Sequence, residues 1–369
     1  MSGECERAVW VEQGRFGLVF QGPIVSRNPV TSEPFDCVAN IIRIIEETYD
    51  DFDYFVLSTW EGQPEFPFED SKLLKLYGPD TITGSDRTGF PLNNGPRKIV
   101  SSHRGVQAMK ASGEADFVLV FRTDTYADLR GFPGAIRSCT DRHDAYRRVD
   151  QKSFLHFQYL SLLNPYFATD FFLSGHIDDV ERYLAANVTH LDLRFRPLKL
   201  IDVDWFIKYM YEHLSKYFEY PEYFNFPSIA KRGEVYPGVL VRYPTRFIDY
   251  WDDIVRHAIA PMPRGVSRTL EWRGVAAGQN KHFVDHVYLE EWDGVRERWL
   301  DAARERDLQI YAYDDAGADY DHAAWYMLDR YLVAKGSQYS DSFRTALLGY
   351  QNKVVAASGA AKADIRQAG

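Results

Sequence analysis

The chain has 369 residues, a net charge of −10 and 45% hydrophobic residues. That apolar content supplies a substantial core for one or two domains, and the acidic balance argues against a nucleic-acid-binding surface. Cys5, Cys37 and Cys139 are far apart and odd in number, which argues against a disulfide framework or a cysteine metal site. Met1 to Arg7 carries two glutamates and no apolar run, so no signal peptide is expected there. No apolar segment approaches the length of a transmembrane helix. The expectation is a soluble, cytoplasmic protein with at most peripheral contact with the inner membrane.

Phe16 to Ile24 reads as a first strand ending in a Gly-Pro turn. From Phe35 to Tyr49, Val38, Ile41, Ile42 and Ile45 recur at helical spacing. Tyr54 to Ser58 is a second strand, Lys72 to Leu76 a third, and Gly78 to Asn94 a polar loop rich in Gly, Pro, Asp and Asn. Arg97 to Ala111 is a helix, and Phe117 to Phe121 is an unbroken apolar run that fits a strand buried on both faces. Strands and helices alternating at this pitch predict βαβ units and an α/β fold with a mostly parallel sheet. Asp170 to Gly175 reads as a further strand, and Ile177 to Ala186 as a helix opening over Asp178 and Asp179. Asp202 to Tyr217 predicts a helix, Tyr217 to Phe226 is densely aromatic, and Pro237 to Tyr243 suits a late strand. Beyond Pro261 the pattern is mostly helical, over Trp292 to Arg306, His322 to Val333 and Phe343 to Tyr350. The division expected is a catalytic domain over 1–260, a helical extension over 261–355 and a tail over 356–369.

The apolar run 117–121 stops at Arg122, Thr123 and Asp124. Ligands of open α/β sheets bind beyond the carboxyl ends of strands, so Asp124 is a candidate to hold a metal against a phosphorylated ligand. The alternative use of Asp124 is to cap the following turn. Arg97 and Lys98 open the helix that precedes this strand, where backbone N–H groups already favour phosphate. Arg122 either faces the ligand or pairs with Asp124 to hold the turn. Ser58, Thr59 and Trp60 end the second strand and are candidates to line a base or ribose pocket, with core packing the competing use of Trp60.

Gln21-Gly22-Pro23-Ile24, Leu57-Ser58-Thr59-Trp60, Asn94 with Arg97 and Ser101, Arg122-Thr123-Asp124, and Asp170 with Gly175 stand in this order along the first two-thirds of the chain. In that order the chain resembles the WavE lipopolysaccharide-synthesis proteins and, more generally, nucleotide-binding glycosyltransferases of the GT-A type. The resemblance implies a GT-A-like sheet and a metal-assisted hexosyl transfer from a UDP- or GDP-sugar to a glycan or glycolipid acceptor, such as a lipopolysaccharide core or capsule. It implies donor contacts from Gln21, Gly22, Ser58, Thr59, Asn94, Arg97, Arg122 and Asp124, and Lys98 joins them by its place at the helix start. The cofactor implied is Mn²⁺ or Mg²⁺ on Asp124. No second acid stands two residues away, which leaves Asp128 as the nearest partner and His282 as a late third ligand. An inverting transfer needs a base for the acceptor hydroxyl. Asp170 is the first candidate, then Asp204, then Asp202. Two other readings remain: a sugar nucleotidyltransferase, although the first strand lacks the Gly- and Lys/Arg-rich loop such enzymes carry, and a non-catalytic glycan-binding protein on a transferase scaffold. An Asp124 side chain turned into the interior, or locked against a neighbour with no open crevice nearby, would leave the transferase assignment resting on family likeness alone.

Overall fold

In the computed structural model, the described residues are 14–28, 30–79, 95–140, 151–158, 160, 172–189, 252, 255–276 and 287–304. The chain runs through β1 (Phe16–Gln21), a hairpin of β2 (Val25–Arg27) and β3 (Pro34–Asp36), α1 (Cys37–Thr48), β4 (Tyr54–Trp60) and β5 (Leu73–Gly78). It continues through α2 (Gly95–Ser112), β6 (Phe117–Arg122), β7 (Thr125–Tyr126), α3 (Phe132–Thr140), β8 (Leu155–Phe157), β9 (Phe172–His176) and α4 (Ile177–Thr189). The last described elements are β10 (Ile259–Pro261), α5 (Arg264–Arg268), β11 (Glu271–Trp272), β12 (Val275–Ala276) and α6 (Trp292–Arg304).

Seven strands form one sheet in the order β10-β8-β9-β6-β1-β4-β5. β1 lies parallel between β4 and β6, and β9 is antiparallel to both β6 and β8. The fold is therefore α/β with a mostly parallel sheet. Every residue of β1 is buried, as is β6 up to Phe121. This is the signature of strands covered on both faces. Side chains alternate between two layers. Gly17, Val19 and Ser58 face α2, where Met109, Gly105 and Ser101 meet them. Phe16 faces the other way and packs on Phe52 and Phe132. α4 lies beside α2, joined to it by Lys110 with Asp178 (2.9 Å) and by His103 with Glu181 (3.3 Å).

Local chemistry sets the element ends. The Asp36 side chain accepts from Ala39 N and caps α1. β1 stops at Gln21, short of the predicted Ile24, because Gly22 adopts φ 128°, outside the strand region. At α4, Asp179 is buried. Its Oδ2 accepts from the backbone of Lys152 and Ser153, which fixes the entry to β8. Burial pushes this carboxyl up to about 6 against those hydrogen bonds. Cys37 and Cys139 are buried free thiols.

The expected boundary at residue 260 falls inside β10, which is hydrogen-bonded to β8. Met262, Leu289, Trp292 and Trp299 join the same core as β1 and β6. A break there would expose this apolar surface, so the described residues after 261 extend the same packed unit. α6 matches the helix expected from Trp292. The helices and strand expected over 202–217, 237–243, 322–333 and 343–350 lie outside the described residues. Among the described residues, no helix is long and apolar enough to cross a membrane.

Candidate functional site

Strand order reverses between β1 and β6: the chain leaves β1 for β4 on one side and returns from β5 to β6 on the other. Such switch points leave a crevice at the carboxyl ends of the strands. Gln21 and Arg122 are register partners there. α2 runs antiparallel to β1, since Met109 meets Gly17, Gly105 meets Val19, and Ser101 lies 3.4 Å from Gln21 Oε1. Its amino terminus therefore stands over the carboxyl ends of β1 and β4. Ser58 Oγ donates to Ser101 O at 2.7 Å and pins the helix to the sheet. Gly105 permits the approach, because a Cβ there would stand 2.5 Å from Val19 Cγ1. The Arg97 guanidinium sits 5.8 Å from the centre of the half-buried Trp60 ring, and Lys98 follows on the same first turn.

Asp124 is fully buried. Arg122 grips it with two hydrogen bonds, Nε to Oδ1 at 2.8 Å and Nη2 to Oδ2 at 2.9 Å. Arg273 Nε donates to Oδ2 at 2.7 Å and Trp272 Nε1 to the same oxygen at 3.2 Å. The backbone is held as firmly. Asn40, on α1, donates to the carbonyls of Thr123 (3.0 Å) and Thr125 (2.8 Å), on either side of Asp124. Arg273 N donates to Asp124 O at 2.8 Å. Burial alone would push the Asp124 carboxyl up. The hydrogen bonds and charges of Arg122 and Arg273 outweigh it and hold the group at about 2. Burial and the charge of Asp124 together push the neighbouring Cys37 thiol up to about 12, so it is protonated and inert at neutral pH.

Arg273 arrives on a hairpin. β11 pairs with β7 and with β12, and the two residues of its turn, Arg273 and Gly274, have φ of 52° and 76°. Positive φ at both turn positions suits a tight hairpin. It is natural for Gly and strained for Arg.

The structure gathers Gln21, Gly22, Ser58, Thr59, Arg97, Lys98, Arg122 and Asp124 at one end of the sheet. Their surroundings differ from expectation for Ser58 and Thr59. Ser58 and Thr59 are fully buried, and the Ser58 hydroxyl is committed to α2. Of the two uses open to Arg122, the ion pair with Asp124 is the one formed. Asp128 is carried away from the cluster as the chain descends towards α3. Its carboxylate is engaged by Arg130 (2.6 Å), and its backbone N donates to Thr269. Asn94, Asp170, Asp202, Asp204 and His282 lie outside the described residues.

These donors do not fit a divalent cation. Both Asp124 oxygens are occupied by strong donors, Asp128 is paired elsewhere, and among the described residues no three His, Cys, Asp or Glu side chains converge on a metal position. A cation at Asp124 would have to displace a guanidinium from a buried carboxylate.

No curated protein matches the chain. Residues 16–189, the stretch that carries β1, the α2 mouth and the Arg122–Asp124 turn, match the WavE lipopolysaccharide synthesis family.

Proposed function

We propose that the protein is a glycosyltransferase that moves a hexose from a nucleotide-sugar to a surface glycan acceptor during lipopolysaccharide synthesis. The observation that carries this reading is the cationic mouth of α2 over the carboxyl ends of parallel β1 and β4, at the switch point of the sheet. The family match supports the lipopolysaccharide context. The diphosphate of the donor would meet Arg97 and Lys98 at the helix amino terminus, where charge and backbone N–H groups act together. Trp60, beside Arg97, offers a ring face to the base or sugar.

In the transfer, the bond from the anomeric carbon to the diphosphate oxygen breaks and its electron pair stays on the phosphate. The acceptor oxygen forms the new bond and loses its proton. If configuration inverts, that proton goes to a carboxylate, and Asp170, then Asp204, are the candidates. Fixed cationic donors lower the barrier by stabilising the charge that builds on the departing diphosphate.

A hydrolysis screen of UDP- and GDP-sugars tests the proposal. Slow release of one nucleoside diphosphate is expected, with Arg97→Ala weakening the affinity for that product by about tenfold, the scale of one charge-assisted contact. Release of pyrophosphate from a sugar phosphate and a nucleoside triphosphate would instead favour the nucleotidyltransferase reading. No turnover and no binding of any donor would leave a glycan-binding protein.

A further inference from the structure

Asp124 and its partners form a layered cluster. The acid lies beneath, with its side chain 1% exposed, and the two guanidiniums above it are 20% and 24% exposed. Two cations share one carboxylate. The arginines are also fixed in direction. Arg122 is held by a bidentate pair. Arg273 is anchored through Nε to Asp124 and through Nη1 to Arg27 O at 3.3 Å, and it stacks 4.8 Å from the Trp272 ring centre. Asn28 Nδ2 donates to Arg273 O at 3.0 Å, which fastens the strained turn to the β2–β3 hairpin. A non-glycine residue held at φ 52° costs about 1 kcal/mol or more, and Gly would meet the turn without that cost. The turn therefore keeps a guanidinium where backbone preference alone would select Gly.

Resting on the nucleotide-sugar reading above, we infer that Arg122 and Arg273 bind the donor diphosphate directly, with Asp124 as the positioning residue that aims them, in place of a metal bridge. A guanidinium presents paired N–H donors that match phosphate oxygens, and one already oriented loses less rotamer freedom on binding. Arg273 lies outside the stretch that matches the family, so the phosphate site joins two distant parts of the chain. In the transfer, these two cations would take up the charge that develops on the leaving diphosphate oxygen, and no proton or electron moves through them.

The test measures the affinity of the full chain for UDP, GDP, UMP and GMP by calorimetry, with and without EDTA and with added Mn²⁺. One diphosphate is expected to bind with an affinity that EDTA changes by less than about twofold. Arg273→Ala should weaken that diphosphate by about tenfold or more and the matching monophosphate much less, as loss of one charged phosphate contact predicts. Arg273→Gly removes the guanidinium while relieving the turn, so it guards against a folding failure and should give the same selective loss. Asp124→Asn should also narrow the gap between diphosphate and monophosphate, a change that a merely structural role would not produce. Binding abolished by EDTA and restored by Mn²⁺ would overturn the inference and leave the nucleotide-sugar reading standing. So would a diphosphate affinity indifferent to both Arg273 variants. Absence of binding by all four nucleotides under every condition would overturn the nucleotide-sugar reading itself, and this inference with it.

Discussion

Asp124→Ala is expected to lower stability by about 2–4 kcal/mol at neutral pH, because it leaves two guanidiniums without the buried carboxylate they share. The side chain is fully buried and receives four hydrogen bonds. Both arginines keep some contact with water, which returns part of their lost solvation and keeps the cost below that of a wholly buried pair. The effect depends on pH in a defined direction. The folded carboxyl is held at about 2, below its ordinary value of 3.8. Its contribution is therefore complete above about pH 4 and is lost as the pH falls towards 2. Urea denaturation of wild type and variant at neutral pH, and again towards pH 3, measures this. The gap should be widest at neutral pH and narrow on acidification. Equal midpoints at neutral pH would mean that the ion cluster contributes nothing to the fold.

Gly105→Val should damage the fold and the site together. A Cβ at this position would stand 2.5 Å from Val19 Cγ1 and 3.0 Å from Ser58 Cβ, and valine adds two more methyl groups. α2 must then lift from the sheet, at a cost of about 2–3 kcal/mol for overpacking. The lift acts on the hydrogen bond from Ser58 to Ser101 and on the placement of Arg97 and Lys98 one turn further on. Nucleoside diphosphate affinity is therefore expected to fall by more than the lost stability alone explains, since most of the variant remains folded. Thermal denaturation combined with calorimetry separates the two effects. A variant with wild-type stability and wild-type affinity would contradict the seating of this helix on β1 and β4.

The central part of the fold is legible in local sequence because its signals are local. Five consecutive apolar residues ending in Arg122 mark β6, the spacing of Ile41 and Ile45 marks α1, and Arg97 to Ala111 marks α2. β8, β10 and β7 are three residues long or fewer. Strands that short carry no readable alternation, and sheet neighbours hold them rather than their own propensity. At the site, the position of Asp124 at a strand tip follows from the sequence, and so does Arg122 as one possible partner. Arg273 is 149 residues away from Asp124 along the chain, and no local pattern ties the two together. The one available hint is the pair Arg273-Gly274 between short segments, a two-residue turn. Asn40 is hidden differently: it sits on the buried face of an amphipathic helix, where a polar residue reads as noise until its two carbonyl partners are known. Asp128 is close to Asp124 in sequence, yet its carboxylate pairs with Arg130.

The most direct measurement of the central claim is hydrogen–deuterium exchange of the full chain with and without the nucleotide-sugar that the hydrolysis screen selects. The account predicts added protection at the carboxyl ends of β1, β4 and β6, at the first turns of α2, and at the Arg273 turn. Protection confined to other parts of the molecule, with these segments unchanged at saturating donor, would contradict it.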